Sequence, residues 1–181
     1  MIVKRTAGTL LAVIIICSAG IGEDTGKGHR SSEQMHFSAE EAGVEKPVPI
    51  PEAVLAMLKT DDMVRNALAN EEIPPEKIPL SWFSAATIHL NGPEQTGLVV
   101  MAAGSLRGSN ATTFWVFRGT ASNYALILTA PAHDLEVKKT RWKGYRDIEL
   151  TSLTAVQIST VVCRFNGKRY TKYRAKTHPI Q

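Results

Sequence analysis

The sequence predicts an α+β domain: one or two N-terminal helices followed by a mainly antiparallel β-meander sheet of about seven or eight strands. Three observations predict it. Apolar residues at helical spacing are confined to residues 52–68. From residue 82 onward, short runs rich in Val, Ile, Thr and aromatic residues alternate with Gly, Pro, Asn and Ser clusters. No helix-length pattern separates those runs, and parallel strands need a crossover of a dozen or more residues. Consecutive antiparallel neighbours are then the simplest topology.

Residues 1–20 read as a secretory signal peptide: Lys4 and Arg5 precede the apolar run 10–16, and Cys17, Ser18, Ala19 and Gly20 are small residues suited to cleavage. The apolar run is short for a membrane span, and a retained anchor is the alternative. Ile16 stands where a lipoprotein signal wants Gly, Ala or Ser, which speaks against acylation at Cys17. The chain is therefore expected to be exported, periplasmic or secreted, with membrane contact only through this segment. If Cys17 leaves with it, Cys163 is the remaining cysteine, in the most apolar strand, and reads as a small core residue.

Residues 21–49 are rich in Gly, Ser, Glu and Lys and are expected to be a disordered linker, followed by a single domain over 50–178. Pro51 suits a first helical turn. Val54, Leu55 and Leu58 form one apolar stripe, and Met63, Val64, Ala67 and Leu68 form a second. Thr60 before Asp61 and Asp62 reads as an N-cap, so the helix breaks or bends there. Three prolines make 73–79 a loop.

The expected strands cover 82–90, 97–103, 112–118, 124–129, 133–139, 145–150, 156–165 and 168–174. Phe114, Trp115, Val116 and Phe117 are the densest aromatic cluster and read as core. Alternation sends Phe114 and Val116 to one face and Trp115 and Phe117 to the other. Ala130-Pro131-Ala132 reads as an interruption. Asn166-Gly167 is the strongest hairpin signal, expected as a type I′ turn with positive φ at both residues.

The net charge of +4 hides a gradient. Residues 21–79 carry 12 acidic and 6 basic side chains, whereas 138–181 carry 2 acidic and 11 basic. The basic end attracts an anionic partner such as an envelope polymer, a lipid surface or an acidic protein, or else keeps edge strands apart. Nucleic acid is not expected for an exported chain. Arg107 and Asn110 in the 104–110 loop, and Trp142, Lys143, Arg146, Lys168, Arg169 and Lys172 in the basic end, are the candidate partner-binding residues.

Catalytic signatures are sparse. His133 and Asp134 are adjacent, and strand neighbours point to opposite faces. His89 is isolated, and no histidine pair has zinc-like spacing with a third ligand. Ser105 lacks the Gly-x-Ser-x-Gly context of a nucleophile elbow. No cofactor, metal or catalytic residue is assigned. The first expectation is an exported, non-catalytic binding or inhibitory module of a bacterial cell envelope. The alternatives are a hydrolase-like enzyme assembled in space from His89, His133, Asp134 and Asp147, and a structural subunit of an envelope assembly.

Gly144-x-x-Asp147-Ile148 with Phe165-Asn166-Gly167-x-x-Tyr170 resembles the tail of a single FG-GAP-type unit. The resemblance implies hairpin geometry. It does not imply calcium, because Thr140-Arg141-Trp142-Lys143 replaces the carboxylate run of those repeats. The chain as a whole resembles small exported bacterial proteins in which a helix precedes a β-meander, and that resemblance implies no function.

Overall fold

The computed structural model describes residues 33–180. The expected signal peptide and the first part of the expected linker lie outside the described residues. Within them the element order is β1 (His36–Ser38), α1 (Glu52–Leu58), α2 (Asp62–Asn70), β2 (Phe83–His89), β3 (Thr96–Ala102), β4 (Thr112–Gly119), β5 (Tyr124–Ala132), β6 (Asp134–Trp142), β7 (Tyr145–Leu153), β8 (Gln157–Phe165) and β9 (Tyr170–Pro179). Every strand pairing is antiparallel. The α+β class with mainly antiparallel strands holds. The single meander sheet does not, and the helices are not first in the fold, because β1 precedes them.

The strands form two sheets, β2-β3-β4-β5 and β1-β6-β7-β8-β9. The first is a meander, the second is the meander β6 to β9 with β1 added beside β6, and the chain changes sheet at His133. That residue belongs to neither strand. Its N–H donates to the Thr151 carbonyl of β7 and its own carbonyl accepts from Ala39 N–H, both at 2.7 Å. Bonds from two directions fix the backbone where it bends out of one ladder into the other. The expected interruption at Pro131 is absent: Pro131 pairs in register with Thr113 inside β5. β5 is an edge strand, where a missing N–H costs no ladder bond.

Residues 33–49, expected as linker, are packed. Phe37 is fully buried between the sheets, in register with Leu135. Val137 N–H donates to Met35 O at 2.7 Å, and Val48 N–H donates to Ala85 O at 2.8 Å. One buried ring and backbone bonds to both sheets anchor a stretch whose average composition is polar.

The helix break falls at Thr60. Asp61, not Thr60, caps α2, accepting from Met63 N–H at 3.0 Å and Val64 N–H at 3.4 Å. Thr60 Oγ1 instead donates to Met57 O at the end of α1. Val54, Leu58, Val64 and Leu68 bury against Leu98, Val100, Trp115 and Phe117 on the outer face of the four-stranded sheet. Its other face packs Ile88, Val99, Met101, Phe114 and Val116 against Leu135, Val137, Ile148 and Phe165 of the five-stranded sheet. The molecule therefore has three layers: helices, a four-stranded sheet and a five-stranded sheet. Cys163 lies in the inter-sheet core, where burial pushes its thiol pKa up. Among the described residues no helix is long and apolar enough to cross a membrane.

Two hairpins exchange the expected turn chemistry. Lys143 and Gly144 both have positive φ, 50° and 85°, so the β6–β7 turn has the type I′ pattern. At the β8–β9 turn only Gly167 has positive φ, 105°. There Asn166 N–H donates to Arg169 O at 3.0 Å, and the Asn166 side-chain oxygen accepts from Lys168 and Arg169 N–H. The turn centres on Gly167-Lys168, one residue later than expected, because Asn166 serves it through its side chain.

Candidate functional site

β9 is the longest strand described and forms the free edge of the five-stranded sheet. Its register on β8 runs from Phe165↔Tyr170 to Gln157↔Pro179, with an extra residue, Tyr173, between Lys172 and Arg174. After Tyr170 every residue of the strand is exposed. Arg174, Lys176 and His178 stand opposite Val162, Thr160 and Ile158 and so share the outer face. Lys172 stands opposite the core residue Cys163, at the rim of the inter-sheet space. The strand carries no acid.

The carboxylates of this sheet are engaged elsewhere. Lys138 Nζ lies 2.9 Å from Glu136 and 3.4 Å from Glu149. The Glu136 hydrogen bond is the leading cause that raises the Lys138 pKa against the opposing pull of burial. Asp147 is buried, accepts from Thr140 Oγ1 at 3.0 Å and stands 3.4 Å from Arg164 Nε. The Arg164 guanidinium is stacked between Trp142, 4.9 Å from the ring centroid, and Tyr173, 3.6 Å away. An acid, a cation and two aromatic rings thus tie the end of β6 to the outer strand.

The candidate binding residues do not form one site. Lys168, Arg169 and Lys172 come together at the β8–β9 turn and the start of β9, all exposed. Trp142 joins them through the Arg164 stack. Lys143 is exposed on the neighbouring β6–β7 turn. Arg146 is structural: it reaches Glu33 at 3.2 Å and Met35 Sδ, and its carbonyl accepts from Tyr170 Oη at 2.6 Å. Arg107 donates to the Ala39 carbonyl, fastening the 104–110 loop to the segment after β1. Asn110 is exposed on that loop, where it lines the cleft beside His133. Tyr173, Arg174 and Lys176 were missed, although the run of cations Lys168, Arg169, Lys172, Arg174 and Lys176 is visible in the sequence.

The residues of the enzyme alternative separate into three places. At the sheet-changing bend, His133 Nδ1 lies 3.0 Å from Asp134 Oδ1 and its Nε2 lies 3.5 Å from Glu40. His36 approaches Asp134 at 3.8 Å. The expectation that His133 and Asp134 face apart is corrected: His133 sits at a bend, where strand alternation does not apply. The Nδ1 contact is close but not aligned as a hydrogen bond. Asp147 is on the outer face, and His89 contacts Glu33 at 3.4 Å. His133, Glu40, Arg107, Ser109 and Asn110 line a cleft of about 380 Å³. A cleft of about 670 Å³, lined by residues 94–96 and 119–124 with Ala53, holds Glu94 and Tyr124 as its ionisable groups and has no paired base and nucleophile. Among the described residues no cluster of three or more His, Cys, Asp or Glu is placed to hold a metal.

Comparison with protein-family models, with curated proteins and with solved structures found no match to this chain.

Proposed function

We propose that the protein is an exported, non-catalytic binding module of a cell envelope that holds an anionic partner along the basic edge of its five-stranded sheet. One observation carries the reading: β9 presents Lys172, Arg174 and Lys176, exposed and without an acid on the strand, while Glu136, Glu149 and Asp147 of the same sheet are matched by Lys138 and Arg164. A basic strip beside a neutralised sheet concentrates the field along one line. The charge gradient, with 11 basic and 2 acidic residues over 138–181, supports it.

The test is retention on an immobilised polyanion, polyglutamate, at low salt and at 0.5 M salt. Capture at low salt that is lost at high salt supports the reading, because exposed charges are screened within about 10 Å at moderate ionic strength. Capture that ignores salt, or that survives combined Lys172→Glu, Arg174→Glu and Lys176→Glu substitution, counts against it.

The hydrolase alternative rests on the His133–Asp134 contact. It fares worse, because His133 Nε2, the nitrogen that would activate a nucleophile, faces Glu40.

A further inference from the structure

We infer that the anionic partner is an extended acidic polypeptide that adds a strand to β9 and lies in the cleft between β9 and β5. The inference rests on the basic edge being the binding surface and names what occupies it.

Among the described residues β9 and β5 are unpaired edges of different sheets. A cleft of about 470 Å³ separates them, with residues 126–129 on one wall and 169–172 on the other. β9 pairs with β8 along its whole length, so the backbone groups on its other side face outward. An added antiparallel strand would sit about 4.8 Å from β9 and satisfy that row. Over residues 170–172 this places it in the cleft. Beyond Tyr173 it would run along the open edge.

The side chains specify what that strand carries. Half-buried Leu128, in register with Val116 of the inter-sheet core, lines the cleft beside Tyr170 with Lys172 at its mouth, so inward side chains of the partner meet mainly apolar surface. Arg174 and Lys176 lie on the outer face, so outward side chains meet cations. The matching segment alternates acidic and apolar residues. Charge disfavours a second copy of this chain, because an antiparallel β9–β9 pair sets Lys and Arg against Lys and Arg, and like charges across strands destabilise. A lipid surface is disfavoured because the cations Lys138 and Arg164 of the outer face are held by Glu136, Glu149 and the buried Asp147, and so are not offered to a surface.

The experiment measures fluorescence anisotropy of the full chain with a labelled ten-residue Glu-Val repeat, two versions N-methylated at alternate backbone amides in the two registers, polyglutamate, and vesicles of phosphatidylglycerol. Strand addition predicts that the repeat binds, that one N-methylated register loses affinity about tenfold or more while the other keeps it, and that combined Arg174→Glu and Lys176→Glu substitution also weakens binding about tenfold, the size of a few lost charge contacts. Leu128→Ser, at the half-buried position lining the cleft, weakens the repeat more than it weakens polyglutamate. If the repeat and polyglutamate bind alike and neither N-methylation matters, strand addition is overturned while the basic edge stands. If vesicles bind and the repeat does not, the partner is a membrane and strand addition falls. If no anion binds, both fall.

Discussion

The two sheets of this protein solve burial in opposite ways, and their strands β4 and β9 show it best. In β4, Phe114, Trp115, Val116 and Phe117 are all fully buried, because the helices cover one face of the sheet and the second sheet covers the other. In β9 only Tyr170 is buried. Among the described residues no element covers the outer face of the five-stranded sheet, which is charged, and its outermost strand has no strand beyond it. A doubly covered sheet reads as a continuous apolar run and a singly covered one alternates. The difference separates the tasks of the molecule: the helix-covered sheet holds the fold together, and the bare sheet is free to carry charge.

The sharpest way to break that division is to truncate an aromatic in each place. Trp115→Ala removes a ring enclosed by Phe83, α2 and the sheet, whose Nε1–H donates to Asp61 at 2.9 Å. It should lower unfolding free energy by about 3–5 kcal/mol in urea titrations, as large-to-small core changes do. Tyr173→Ala, which removes only a stacked face from Arg164, should lose less than about 1 kcal/mol. Equal losses would end the proposed division.

Next in size is Asp61→Ala, which removes both the α2 cap and the Trp115 acceptor. A loss of about 1–2 kcal/mol is expected. Asp61→Asn should recover part of it, since an amide oxygen also caps. A full-sized loss in the Asn variant would mean that the second carboxylate oxygen, which accepts from Trp115 Nε1–H, or the charge outweighs the cap at this position.

Tyr170 marks where the bare sheet turns inward. Burial, helped by the Asp147 charge, raises its phenol well above the ordinary tyrosine value. The sign follows from linkage: the unfolded chain gives up this proton first, near pH 10, so unfolding is favoured as pH rises beyond that. Stability from this group is intact below about pH 10 and declines toward the folded value. Tyr170→Phe should cost about 1 kcal/mol at neutral pH through the lost bond to Arg146 O. The gap to wild type should narrow above pH 10 in melts across pH. A constant gap would show that the phenol is not sheltered.

The smallest effects belong to the outer face. Lys138→Ala should change stability by less than about 1 kcal/mol, fading with salt, as partly exposed ion pairs do. Combined Arg174→Glu and Lys176→Glu should leave the melt within about 0.5 kcal/mol of wild type, because neither side chain packs on the core. A large loss there would show that β9 supports the fold.

Most strands were legible because each carries its own periodicity. Runs such as 97–103 and 112–118 announce burial on both faces, and the expected positions of β2, β3 and β4 match within a residue or two. β9 was cut short at 174 because no apolar alternation marks its outer half, where cations sit at every second position after the Tyr173 bulge. β1 was missed because three residues set no period; it forms because β6 offers an edge and Phe37 has somewhere to go. The I′ turn at Lys143-Gly144 escaped because Lys is a poor guess for positive φ, whereas Asn166 drew the prediction and used its side chain instead.

The candidate site was half legible. Lys168, Arg169 and Lys172 are neighbours in sequence and remain so in space. Arg146 read as an exposed cation and is held by Glu33, 113 positions earlier. No local pattern foretells a partner at that distance.

By itself, the sequence determined where the two helices and most strands from β2 onward lie, that the strands pair antiparallel, and that positive charge gathers at the C-terminal end. These follow from short-range causes: side-chain period, turn residues and composition. Only the tertiary structure decided that the meander divides at His133 into two sheets, that the helices cover one of them, and that β5 and β9 are left as facing free edges. Those depend on how apolar faces from distant segments are removed from water together, and that cost is settled over the whole chain at once.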